Sequence, residues 1–175
     1  MRDFADFCAS ARLLARAADV PDYTWFWWKL RPHPRLGTVE VRALDAQASL
    51  EDTAGLVALV HCLARYAAEA SPEPDPPAEV LDEGAFRAAR FGVRAHLPHG
   101  RLRPVDELLQ EALALARRYA PELQCTDQLD ALPALLARGG GAGRQRASYH
   151  IAGMDALLRD LTALTCAGTA PPAAR

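Results

Sequence analysis

Arg31, Glu40 and Arg42 are the residues of this chain whose types and spacing could do chemistry. They fall in the stretch TWFWWKLRPHPRLGTVEVRAL, Thr24 to Leu44, which reads as two β-type runs around a proline-rich turn. Side chains alternate between the two faces of a strand, so Thr38, Glu40 and Arg42 share one face, and Val39, Val41 and Ala43 share the other. In the first run Lys29 and Arg31 are likewise in phase. If the runs pair, a carboxylate sits among fixed cations on one side of a hairpin whose other side is apolar. Such a wall suits a phosphate, a metal or a carboxylate, and arginine at two of the cationic positions suits bidentate contacts to planar anions. The same pattern is equally that of a solvated strand face laced with cross-strand ion pairs.

Other candidates carry less. His96 and His99 are close in sequence, but Pro98 lies between them and no third ligand is near, so HLPH reads as an exposed loop. His33, between Pro32 and Pro34, is expected on the surface of the turn, and His61 inside a helix as a satisfied core histidine. Cys62 has no neighbour in sequence that would lower a thiol pKa. Gly139 to Gly143 lacks the preceding strand and the following Lys-Ser or Lys-Thr of a phosphate loop, and reads as a hinge between helices. Arg87 and Arg90 share a helix face and could reach toward an anion, a weak signal alone.

The elements that must position these residues are mostly helical. Apolar spacing predicts an amphipathic helix over residues 3–18, with Phe4, Phe7, Cys8, Leu13, Leu14 and Ala17 on its stripe. Pro21 and Asp22 end it before the hairpin. Ser49 is placed to cap a helix running to about residue 70, with Glu51 and Asp52 favourable in its first turn. Its many apolar residues predict burial, against the apolar face of the hairpin. SPEPDPPA, residues 71–78, predicts an extended connector. Four further helices are expected, over about 83–95, 105–119 (with Pro104 in the N1 region), 127–137 and 142–165. The last residues, from Ala167, are expected to be a disordered tail. This gives an α+β fold of one antiparallel hairpin and about six helices, a single domain over 1–166. Two strands alone leave open edges and a polar face, so further strands are expected from another chain or an upstream region.

Composition removes several function classes. A net charge of −2 with dispersed arginines argues against a nucleic-acid partner. No run approaches the roughly 18 apolar residues of a membrane span. The beginning of the chain has early acids and no apolar h-region, which is unlike a signal peptide. Cys8, Cys62, Cys125 and Cys166 form no CxxC pair, so they read as free thiols in a reducing cytoplasm rather than a zinc or redox motif.

The run from Trp28 to Arg42, WKLRPHPRLGTVEVR, resembles a stretch of the carboxylate-amine ligases, the type 2 glutamate–cysteine ligases. In those proteins an aromatic residue and an arginine precede a proline-containing turn and then Gly-Thr-(Val/Leu)-Glu-(Val/Ile)-Arg. The similarity continues through Asp45 and the helix from Leu50 to Ala68. It resumes at Phe86-Arg87-Ala88-Ala89-Arg90-Phe91-Gly92, at Ala137-Arg138-Gly139 and at Gly143-Arg144-Gln145-Arg146. It thus covers the chain to about residue 165 and corresponds to the C-terminal half of such enzymes.

The resemblance implies a glutamine synthetase-like fold, whose curved antiparallel sheet forms a funnel for ATP, a divalent metal and glutamate. It implies that Glu40 binds Mg²⁺, that Arg42 contacts the transferred γ-phosphoryl, and that Arg31 holds a phosphate or the substrate carboxylate. The implied activity is ATP-dependent ligation of an amine such as cysteine to a carboxylate of glutamate through an acyl phosphate. Where those enzymes usually carry an Asn before the Phe-Arg pair, this chain has Asp82-Glu83-Gly84. The family's upstream paired glutamates and central histidine strand have no counterpart here. The isolated chain is therefore expected to need an N-terminal half polypeptide, or to be an inactive remnant that self-associates or binds a partner.

Overall fold

The computed structural model describes residues 3–70 and 76–167, which divide into two compact units on either side of the Ala46–Gln47 junction. Most of the connector and the tail expected from sequence lie outside the described residues.

The first unit begins with helix α1 (Phe4–Ala17), capped by Asp3, whose carboxylate accepts the Asp6 N–H at 2.8 Å. Its buried residues are Phe7 and Ala11, while Phe4 and Leu13 of the expected stripe stay exposed. Phe7 meets Tyr23 and Trp28 edge-on, and Trp28 stacks on Phe26, so the unit is held together by aromatic rings. The start of the extended run expected over the tryptophans is instead a short 3-10 turn, Tyr23–Trp25, and Trp27 and Trp28 lie in the irregular segment before the first strand. Asp22 causes it: its carboxylate accepts both the backbone N–H and the hydroxyl of Thr24, at 2.8 and 2.6 Å. Strands β1 (Leu30–His33) and β2 (Thr38–Val41) then pair antiparallel, with Arg31 opposite Glu40. One further bond, from Arg42 N–H to the Lys29 carbonyl at 2.7 Å, prolongs the ladder.

The second unit is helical. Ser49 caps α2 (Leu50–Glu69) as expected, accepting the Asp52 N–H at 3.3 Å. The apolar face of α2, expected to lie under the hairpin, is buried against α4, α5 and α6. Gly55 makes that crossing possible, because a Cβ there would stand 3.0 Å from both the Gln128 carbonyl oxygen and the Leu132 side chain. His61 is exposed, contrary to its expected place in the core, because the packed face passes through Ala58 and Cys62.

Helix α3 (Ala78–Phe91) leads through a 3-10 turn into a second hairpin, β3 (His96–His99) with β4 (Arg101–Pro104). This corrects the loop expected at His96–His99: Pro98 is tolerated because a two-stranded ladder leaves half of each strand's N–H groups unpaired. Pro104 precedes α4 (Val105–Ala116) as its cap residue. The single helix expected over 127–137 is two, α5 (Thr126–Asp130) and α6 (Leu132–Ala137), with Pro133 opening the second. Residues Gly140–Ala167 form α7, interrupted at Gly153 with φ +76° and ψ −170°, a conformation open essentially to glycine alone. Arg144 and Asp160 bond at 3.1 Å across that break. Sixteen residues of straight helix would hold them roughly 24 Å apart, so the two halves fold back on each other. The fold is therefore α+β with an incomplete sheet, and it has two hairpins where one was expected.

Candidate functional site

The three residues singled out in the sequence meet on the first hairpin. Cross-strand register sets Arg31 opposite Glu40, and period-2 alternation sets Arg42 on the same face as Glu40. Glu40 lies between the two guanidinium groups. Arg31 donates to its Oε2 through Nε at 3.0 Å and Nη2 at 2.6 Å, and Arg42 donates to its Oε1 through Nη1 at 2.6 Å.

The two arginines are held differently. Arg31 is only 7% exposed, and its Nη1 also donates to the backbone carbonyls of Thr24 at 2.8 Å and Phe26 at 3.2 Å. Those carbonyls are aimed by the Asp22-capped turn, so a local sequence device supplies half of the Arg31 socket. Arg42 commits one N–H to Glu40 and lies 5.7 Å from the Trp27 ring centroid. The Glu40 and Arg42 side chains keep 36% and 32% of their surface, so the outer edge of the triplet is open. Partial desolvation of the Glu40 carboxyl opposes ionisation, but hydrogen bonds from Arg31 and Arg42 outweigh it and hold the group below its ordinary range.

Burial on this hairpin is the reverse of what the alternation suggests. Leu30 and Val39 of the apolar face are each 60% exposed, whereas the charged face covers Arg31. Sequence reasoning missed the Thr24 and Phe26 carbonyls and the Trp27 ring. Asp22 two residues before Thr24 is the signal that could have found the turn. His33 is half-buried rather than on the surface, meeting Tyr23 edge-on at 6.1 Å.

For a metal, Glu40 offers one carboxylate, and among the described residues no three His, Cys, Asp or Glu side chains gather to hold an ion. One carboxylate fits Mg²⁺ only as a single ligand, with the others coming from phosphate oxygens and water. His96 and His99 stand on β3 without such a cluster. Arg87 pairs with Glu83 at 2.6 Å, and Arg90 lies over the Phe91 ring. Gly139 and Gly140, both with positive φ, join α6 to α7 as the hinge reading expects. A cavity of about 570 Å³ in the helical unit is lined by Val93, Val105, Leu109, Leu113, Pro133 and Leu136 among others, and includes none of the hairpin residues. No described helix is long and apolar enough to cross a membrane.

Comparison with known proteins gives the chain a family. The sequence model of glutamate–cysteine ligase family 2 (GCS2) matches residues 7–156, a span that includes the hairpin and most of the helical unit. The chain belongs to this family. A candidate glutamate–cysteine ligase 2-1 of Rubrobacter xylanophilus is 33% identical over 174 residues, covering 97% of this chain and 46% of the relative. A second protein of that organism, a candidate glutamate–cysteine ligase 2-3, is 40% identical over 149 residues, covering 81% and 39%. A candidate glutamate–cysteine ligase 2-1 of Nocardia farcinica is 37% identical over 179 residues, covering 97% and 47%. The chain thus spans less than half the length of these family members.

Proposed function

We propose that this chain is the part of an ATP-dependent carboxylate-amine ligase that carries the phosphoryl-contacting hairpin of a glutamine synthetase-like funnel. The observation that carries the reading is the Arg31–Glu40–Arg42 triplet, on a hairpin inside the span matched by the family. The substrates are glutamate, ATP and an amine such as cysteine. A glutamate carboxylate oxygen attacks the γ-phosphorus and ADP leaves. The amine nitrogen then attacks the acyl carbon, inorganic phosphate leaves, and the nitrogen gives up a proton.

In that sequence Arg42 is the catalytic residue on this chain. Its open guanidinium faces outward and stabilises charge on the equatorial phosphoryl oxygens. Glu40 would be the one carboxylate of the hairpin to hold Mg²⁺, beside the phosphate-contacting Arg42. Bound Mg²⁺ would supply charge neutralisation at the phosphate oxygens. Arg31 fixes the Glu40 carboxylate through its Nε and Nη2 and is itself fixed by two carbonyls. Its contact with a substrate anion is limited to the remaining Nη2 proton.

One carboxylate does not complete such a metal site, so activity requires residues corresponding to the other part of the longer relatives. An N-terminal half polypeptide supplies them in this reading, and the cytoplasm is the compartment such chemistry implies. The test is a coupled ADP-release assay of the chain with glutamate, cysteine and Mg-ATP, alone and with that polypeptide. Activity is expected only in the mixture, falling at least about 100-fold for Arg42→Met. A reconstituted activity untouched by Glu40→Gln would remove the metal role, and no activity with any such polypeptide would favour a non-catalytic remnant.

A further inference from the structure

The helical unit holds two thiols that the ligase reading does not use. Cys62 on α2 has no exposed surface, while Cys125, the residue preceding α5, is half-buried. Their sulfurs are 3.6 Å apart, although 63 residues separate them in sequence. The surrounding cluster, Ala58, Ala116, Ala120 and Leu129, is apolar and mostly small. That cluster offers neither thiol another polar partner, and the two sulfurs in contact have about 1.6 Å to close to reach the roughly 2.0 Å of a disulfide.

We propose that Cys62 and Cys125 are a modification site, forming a reversible intramolecular disulfide when the protein meets a hydroperoxide. The Cys125 sulfur attacks the peroxide O–O bond, giving a sulfenic acid and, from hydrogen peroxide, one water. The Cys62 sulfur then attacks the Cys125 sulfur, the S–O bond breaks, and the hydroxide leaves with the Cys62 proton as a second water. Two thiols lose two hydrogens and two electrons, and the peroxide is reduced to two waters. A small-molecule thiol reverses the link by exchange. Exposure makes Cys125 the first to react. Burial, reinforced by the Cys125 thiol beside it, pushes Cys62 up to about 11, so in the reduced pair this sulfur is the less reactive of the two. The bond ties α2 to the start of α5 and closes a loop containing α3, the second hairpin and α4. It stands independently of the ligase reading.

The experiment uses the full chain carrying Cys8→Ser and Cys166→Ser, which removes the other two thiols. Hydrogen peroxide on the folded protein should give a species lighter by two hydrogens, with a Cys62–Cys125 peptide in a non-reducing map. Dithiothreitol should reverse it. The oxidised form should melt about 5–15 °C higher. Adding Cys125→Ser, at the half-exposed position, should abolish both the link and the rise without unfolding the protein. Oxidation of Cys125 to sulfinic acid with no link would overturn the proposal. So would equal yields of the linked peptide from folded and urea-unfolded chain, because native proximity would then play no part.

Discussion

The two hairpins each hold an arginine against carboxylates, but with different charge balances. On β3–β4, Arg103 keeps 12% of its side-chain surface and is gripped by Glu107 at 2.9 Å and Glu111 at 3.0 Å, with Arg101 also near Glu107 at 3.5 Å. Two cations meet two anions, and both carboxylates come from the helix that follows directly in sequence. On β1–β2 two arginines share Glu40, and Arg31 completes its bonds with backbone carbonyls, which carry no net charge. Within the Arg31–Glu40–Arg42 triplet cations therefore outnumber carboxylates two to one, whereas in the Arg101–Arg103–Glu107–Glu111 cluster they balance. The unbalanced guanidinium at an open edge is what the proposed phosphate contact would use, while the balanced cluster is a clamp between a hairpin and its helix.

The largest expected difference comes from removing the central arginine of each hairpin, Arg31 and Arg103. All three tryptophans, Trp25, Trp27 and Trp28, lie in the first unit, so their fluorescence reports on it separately from far-UV circular dichroism of the helices. Arg31→Met strands the Thr24 and Phe26 carbonyls and should cost the first unit about 2–4 kcal/mol, read as early loss of the tryptophan signal on heating. Arg103→Met leaves two carboxylates that water already reaches. It should lower the helical melting temperature by only about 1–3 °C. Equal losses for the two variants would erase the distinction between socket and clamp.

Acid sharpens the same comparison. Hydrogen bonding from Arg103 holds Glu111 down, and Glu40 is held down against its own desolvation by its two arginines, both below the ordinary glutamate value of 4.5. Depressed carboxyls stabilise the folded form above the unfolded pKa and lose that contribution as pH falls through the folded value. The contributions of these two carboxyls should thus be full from pH 7 down to about 4.5 and be lost below it. Arg42→Gln is the smallest perturbation. It should move the melting temperature by less than about 1 °C, yet the acid weakening of the first unit should be smaller and finish at higher pH, because Glu40 has lost one of the two cations that hold its folded value down. Carboxyl chemical shifts of Glu40 followed by NMR would check this directly.

Much of the local structure was legible. The Ser49 cap, α1, α2 and the Arg31–Glu40 phase follow from capping chemistry and periodicity, which depend on neighbours a few residues away. The second hairpin was not legible, because HLPH and RLRP carry prolines that normally speak against strands and offer little alternation. The break at Pro133 was available as a helix-opening signal inside an apolar run and was passed over. His61 was misplaced because an apolar-rich helix does not reveal which of its faces will be covered until its neighbours are known.

The sequence by itself determined which side chains share a face. Alternation put Glu40 with Arg42 on one run and Lys29 with Arg31 on the other, whatever surrounds them. Only tertiary structure decided that this charged face would cover a buried arginine while Leu30 and Val39 stay open. It also decided that Cys62 and Cys125 would touch across 63 residues. A period is a property of the backbone and can be read along the chain. Which face is buried depends on where distant carbonyls and helices come to lie, and no local pattern encodes that.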